Sequence, residues 1–294
     1  MALNLEVASN VRSELGEGPC WDAEKQVLYW VDITEGIVYE HKPGNPEDEV
    51  LQRLKDASCV VPRTGGGLVV ASKHGLYGVD RKGKELTLLA EVETEMGGNR
   101  FNDGKCDAAG RFWVGTMDAA ERKTIGSLYV LEKGRRLKRV VRDVAISNGI
   151  GWSPDNRTMY YIDSPTRKVS AFDYKLDTGE VENRRTVVDL TLAKQEGNPD
   201  GMAVDSEGMM WVAQWGGARV TRWDPSTGKL LETIPVPADQ SSSCCFGGRN
   251  LDQLYITSAR RGIDARRLAA KPLTGALFVV NVGVKGLPTN AFDG

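Results

Sequence analysis

Histidine is almost missing from this chain: only His41 and His74 occur in 294 residues. Neither sign of charge is in excess, with 38 basic against 40 acidic residues. The basic clusters at 133–139 and 260–267 lack interleaved aromatics. They read as solvated surface, so nucleic acid is not an expected partner. No apolar run approaches the ~18 residues of a membrane span, and no membrane association is expected. The opening "MALNLEVASN" has neither a basic start nor an apolar stretch long enough for a signal peptide. Cysteine is sparse and odd in number, five in all, with no CxxC and no Cys/His cluster. That argues against a disulfide framework and a structural zinc site, and for buried thiols in a reducing cytoplasm. Helical signals are nearly absent as well; residues 190–196 offer one turn at most.

What is present is a repeat. Six times a polar residue and then a small one precede a short apolar strand. The pairs are Glu17-Gly18, Ser58-Cys59, Asp103-Gly104, Asn148-Gly149, Asp200-Gly201 and Ser243-Cys244. A strand-built period of about forty to fifty residues is the mark of a β-propeller. Second strands of the units are expected at 28–32, 68–72, 112–116, 159–163, 210–214 and 254–258. They are rich in β-branched and aromatic residues and bounded by Gly, Asn, Asp or Pro. Third strands are expected at 75–79, 127–131, 169–174, 220–223 and 276–282, and fourth strands at 50–54, 87–91, 137–141, 185–188 and 230–234. The sixth unit is one strand short, while the alternating segment 3–8 is unassigned. Pairing that segment into the last blade closes the ring and satisfies an open edge. The expectation is an all-β, six-bladed β-propeller filling residues 1–294 as one domain, with no need of a partner subunit.

Equivalent positions on six blades form a ring about the central axis. Glu17, Asn148 and Asp200 each stand at the start of an inner strand and converge there. Asp-Gly and Asn-Gly are ordinary turn dipeptides, and any one pair alone reads as a turn. Several in register at matching positions read as a site, because a turn does not require alignment between units. Two carboxylates and an amide oxygen form a hard ligand set suited to Ca²⁺, Mg²⁺ or Mn²⁺. Asp103 is a fourth member, placed to contact a ligand or a water. Both histidines fall in outer strands or loops by this register, which argues against a Ser-His-Asp triad. Hydrolysis, if any, is expected to run on a metal and carboxylates.

The segments "SELGEGPCWD", "NRFNDGKCDAAGRFWVGTM", "ISNGIGWSPDNRTMYYIDS" and "PDGMAVDSEGMMWVAQWGGARVTRWDP" resemble the SMP-30/gluconolactonase family, which includes regucalcin and bacterial sugar lactonases. The resemblance runs in order along essentially the whole chain. It implies a six-bladed propeller with one divalent cation in the channel, Ca²⁺ first, with Zn²⁺, Mn²⁺ or Mg²⁺ as alternatives. By motif, the implied metal ligands are Glu17, Asn148 and Asp200, and the implied substrate contacts are Arg100 and Asn102. The loop "DAAERKTIG" after "GTM" is shorter and differently spaced than in regucalcin, so a further acidic substrate contact there falls on Asp118 or Glu121, with Glu121 retained. Trp215, Trp211 and Phe101 lie near these motifs, Trp211 fitting the core better than a sugar-facing position.

The implied activity is hydrolysis of a small sugar lactone such as gluconolactone to the aldonic acid. The cation acts as Lewis acid on the carbonyl, and Asp200 serves as general base, with Asp103 as the other carboxylate placed to take the proton. Two other readings stay open: a non-catalytic calcium-binding propeller, and another metal-dependent esterase or lactonase.

Overall fold

The computed structural model describes residues 4–80 and 84–294. In it the chain winds into six four-stranded sheets, each strand pairing with the next antiparallel. The innermost strands are Gly16–Asp22, Ala57–Pro62, Asn99–Cys106, Ser147–Trp152, Asn198–Val204 and Gln240–Gly247, opening blades 1 to 6. Each inner strand touches the next around the whole ring, and that of blade 6 returns to blade 1.

The second strands start within one residue of their expected positions. The hairpins of blades 1, 3 and 5 share one device, an aspartate (Asp22, Asp107 or Asp205) ending or following the inner strand. Asp107 accepts from the Ala109 and Arg111 amides through Oδ1 and from the Trp113 indole through Oδ2. Asp205 does the same with Glu207, Met209 and Trp211. The turn then reverses at Gly110 and Gly208, both with positive φ that glycine adopts without strain. One side chain thus folds the hairpin and satisfies a buried indole. That is why these turns recur with Asp and Gly at fixed offsets.

Hydrophobic residues fill the spaces between blades rather than a single centre. One cluster joins Val61, Val69 and Leu76 of blade 2 to Phe101, Phe112 and Leu131 of blade 3. Others lie between each remaining pair of neighbours. Inner and second strands are therefore buried on both faces, which explains their near-continuous apolar runs. Each large apolar side chain so buried contributes ~1.5–3 kcal/mol.

Closure follows the expected pattern: Glu6–Val7 pairs antiparallel with Phe278–Asn281, Glu6 opposite Val279. Residue 3 of the expected 3–8 strand lies outside the described residues. The fourth strand of blade 4 is Glu180–Asp189, five residues longer at its start than expected. Its first half is exposed and polar, so no apolar alternation marked it. At 190–196 there is a turn rather than a helix, capped by Asp189 Oδ1 accepting from the Thr191 and Leu192 amides. The α-helix among the described residues is instead Ala265–Ala270, in the basic cluster read as surface. Asp264 caps it by accepting from the Arg267 amide at 2.9 Å. All five cysteines are buried and free. No helix among the described residues is long and apolar enough to cross a membrane.

Candidate functional site

Every inner strand slips register at the ring position. The shifts fall between Glu17 and Cys20, Ala57 and Cys59, Phe101 and Gly104, Asn148 and Ile150, Pro199 and Met202, and Ser241 and Ser243. A bulge adds a residue and re-aims its side chain, here at the same height in six blades. Glycine behind the ring residue permits the close approach of neighbouring strands. A Cβ on Gly149 would stand 2.7 Å from the Asp200 carbonyl oxygen, and one on Gly201 would stand 2.0 Å from Ser243 Oγ.

Two aspartates at the ends of second strands fix how the ring strands begin. Asp32 accepts from the Glu14 and Leu15 amides at 2.7 and 3.1 Å, just ahead of Glu17. Asp163 accepts from the Ala145 and Ile146 amides at 3.2 and 2.9 Å, just ahead of Asn148.

Glu17, Asn148, Asp200, Arg100, Asn102 and Glu121 all line one channel cavity of about 120 Å³. Glu17 and Asp200 are 5% exposed and Asn148 is 3% exposed. The Gly18 amide donates to Glu17 Oε2 at 3.0 Å. The Asn148 amide nitrogen donates to Ser164 Oγ at 2.9 Å, and Ser164 in turn donates to the Pro199 carbonyl at 2.6 Å. That relay fixes which end of the Asn148 amide faces away. Its oxygen, Oδ1, is buried with no hydrogen-bond partner.

Electrostatics sharpen the point. Burial, then the Asp103 charge, push Glu17 up to about 8. Burial, then Glu17 and Asp103, hold Asp200 well above the ordinary carboxyl range. Two crowded carboxylates and an orphaned amide oxygen, brought to one cavity from the inner strands of blades 1, 4 and 5, are what a hard divalent cation would satisfy. The donor set fits such an ion. Among the described residues no group of three His, Cys, Asp or Glu side chains forms a metal cluster, so an amide is needed to complete the cradle.

The remaining candidates separate. Arg100 is buried, and its Nη1 donates to Asn102 Oδ1 and the Phe101 carbonyl, both at 2.8 Å. Asn102 donates onward to the Ser147 carbonyl at 2.9 Å. Its amide thus holds Arg100 while the residue lines the cavity beside it. Glu121 pairs with Arg261 at 3.1 Å. Asp118 does not line the cavity; its oxygens accept from the Ala120 and Arg122 amides and shape the loop. Trp215 lines the cavity, whereas Trp211 and Phe101 are fully buried. Asp103 accepts from the Gly104 amide at 2.7 Å and faces a second cavity, of about 240 Å³. His41 pairs with Asp48 in an outer strand and His74 faces the Val92 carbonyl, neither lining the channel cavity. Sequence reasoning missed Ser164, Asn198 and Arg261. Arg261 lay inside a basic cluster that reads as surface, and Ser164 meets Asn148 only through strand pairing.

A six-bladed propeller with an oxygen-lined cradle and a buried arginine in its channel defines a class of small-ligand propeller proteins. Within that class the chain belongs to the SMP-30/gluconolactonase family: the pattern of the SMP-30/Gluconolactonase/LRE-like region matches residues 15–260. Regucalcin of Danio rerio is 43% identical over 296 residues, covering 100% of this chain and 99% of its own. A luciferin-regenerating enzyme superposes with a TM-score of 0.94 at 32% identity, over 99% of this chain and 100% of that one. A calcium-binding protein, regucalcin from Agrobacterium tumefaciens, superposes at 0.93 with 30% identity, over 99% of this chain and 97% of that one.

Proposed function

We propose that this protein hydrolyses a small sugar lactone to its open acid, with a divalent cation in the channel. The observation that carries the reading is the Asn148 oxygen, buried, unpartnered and set beside two crowded carboxylates. Glu17, Asn148 and Asp200 would hold the ion. When bound, it supplies Lewis acidity to the lactone carbonyl and charge for the oxyanion. Arg100, held by Asn102, binds and orients the substrate through the guanidinium donors it does not spend on Phe101 and Asn102. Trp215 offers an apolar face to the sugar ring. Asp200 takes the proton from the attacking water, a role its carboxylate can fill because it lines the same cavity as Arg100. Asp103 supports that role less well, because it lines the other cavity.

Calcium is the first candidate ion, as hard oxygen donors favour it and a similar structure is described as a calcium-binding protein. That description also supports a second reading, a propeller that binds calcium without catalysis. The buried Arg100 favours the enzyme, since calcium binding alone gives a cation beside the site no task. The test is proton release from D-glucono-1,5-lactone by chelator-stripped protein, with Ca²⁺, Mn²⁺ or Zn²⁺ added back. Turnover well above spontaneous opening, only with metal, supports the lactonase. No rate with any ion, despite tight binding of one, supports the non-catalytic reading.

A further inference from the structure

The channel cavity is lined by two guanidinium groups, and only one of them has a carboxylate. Arg100 is 5% exposed, and its hydrogen bonds go to neutral oxygens of Phe101 and Asn102. Among the described residues no carboxylate forms an ion pair with it; Asp56, Glu121 and Glu17 attract it from farther away. A buried cation left without a close counter-charge is costly. Arg261 lines the same cavity and meets Glu121 through Nη2 at 3.1 Å. Both partners are more than a third exposed, at 38% and 44%, and exposed pairs of that kind are weak. The guanidinium has five N–H donors, so most stay free for a ligand. Burial and then repulsion from Arg261 bring Arg100 down to about 10.

Hydrolysis of an uncharged lactone calls for no such pair. The charged side chains lining the cavity are three carboxylates (Glu17, Asp200 and Glu121) and two guanidiniums. With a divalent cation in the cradle, their formal charges leave one net positive charge. A monoanion balances it.

We infer that the substrate is a lactone bearing a carboxylate of its own, the monolactone of a sugar diacid. Its free carboxylate is taken by Arg100 and Arg261, while its ring ester faces Glu17, Asn148 and Asp200. Planar guanidinium forks match a carboxylate through paired hydrogen bonds, which gives orientation as well as charge. Glu121 serves as the exposed placeholder that the substrate carboxylate displaces or shares. The inference rests on the lactonase reading above and adds the substrate class to it.

The test compares D-glucaro-1,4-lactone with D-glucono-1,4-lactone, which lacks the second carboxylate, using calcium-loaded protein. Calorimetric binding of the product acids D-glucarate and D-gluconate, in excess calcium, runs alongside. The expected result is about tenfold or greater preference for the diacid member in both kcat/KM and affinity. Arg261→Gln should reduce that preference about tenfold, and Arg261→Lys should retain part of it. Equal or better use of the neutral lactone overturns the inference, as does an Arg261→Gln variant whose preference is unchanged. Hydrolysis of the neutral lactone alone leaves the lactonase standing without this substrate class. Hydrolysis of neither takes down the lactonase, and equal binding of the two acids then takes down the inference as well.

Discussion

At the residue scale, few of the polar side chains around the channel are free to do anything else. Asn148 is oriented by Ser164, so Ser164→Ala should let the amide turn and weaken calcium binding about 10–100-fold, read by calorimetry. The overall fold should survive, since Ser164 otherwise bonds one carbonyl. Asp200→Asn separates two duties: as an amide it can still ligate, but it cannot take a proton. Turnover should fall about 100-fold or more beyond any loss of calcium affinity, and full turnover with bound metal would remove Asp200 as base. Glu17 gives a pH signature. In chelator the folded protein holds a proton on Glu17 up to about pH 8, whereas the unfolded chain releases it near the ordinary value of 4.5. The folded state binds more protons in that window, so this group's effect on stability becomes less favourable as pH rises from about 4.5 to 8. Melting curves in chelator should show that slope in the wild type and less of it in Glu17→Gln. Saturating calcium, which holds the carboxylate ionised, should abolish it. The ring of Glu17, Asn148 and Asp200 was legible because a repeat aligns residues that are distant in sequence. Arg261 and Ser164 were not, because a charge in a basic stretch and a serine before a proline look the same whether they face solvent or a cavity.

At the scale of elements, each blade is a meander whose inner strand is bent by a bulge, and in blades 1, 3 and 5 the first hairpin is locked by an aspartate. The second strands could be placed to within a residue at their starts because both faces are buried and the residues are almost all apolar or aromatic. Outer strands such as Glu180–Asp189 were underestimated because solvent covers them and backbone pairing, not side-chain pattern, sets their length. The helix Ala265–Ala270 was missed for a related reason: it buries no residue, so it shows no apolar stripe. The tightest test at this scale is Gly149→Ala. The new methyl would press on the Asp200 carbonyl at 2.7 Å and force apart two strands that carry cradle residues. A loss of about 1–3 kcal/mol is expected, with weaker calcium binding in the same variant. Thermal melting and calorimetry read the two effects, and an unchanged melting temperature would contradict the close approach.

For the molecule as a whole, closure decides whether six blades hold a ring steady enough to bind an ion. The short strand Glu6–Val7 completes blade 6, and the last residues of the chain tie other blades together. Phe292 is fully buried in the cluster between blades 2 and 3, its amide donates to the Pro62 carbonyl, and Asp293 N–H reaches the Gly110 carbonyl. Phe292→Ala should cost about 3–5 kcal/mol, although it lies outside the cradle and the channel cavity. The N-terminal closure was legible from a missing strand at one end and a spare one at the other. The final segment was not, since isolated bridges such as Arg63 with Phe292 have no periodic signature. On the proposed function, a single ion bound in the channel is what would make this propeller a lactonase. The most direct measurement is a titration of chelator-stripped protein with Ca²⁺ while proton release from a sugar lactone is followed. The account predicts no turnover at the start and a rise that saturates at one equivalent per chain. Full activity in the stripped protein, unaffected by added metal, would contradict it.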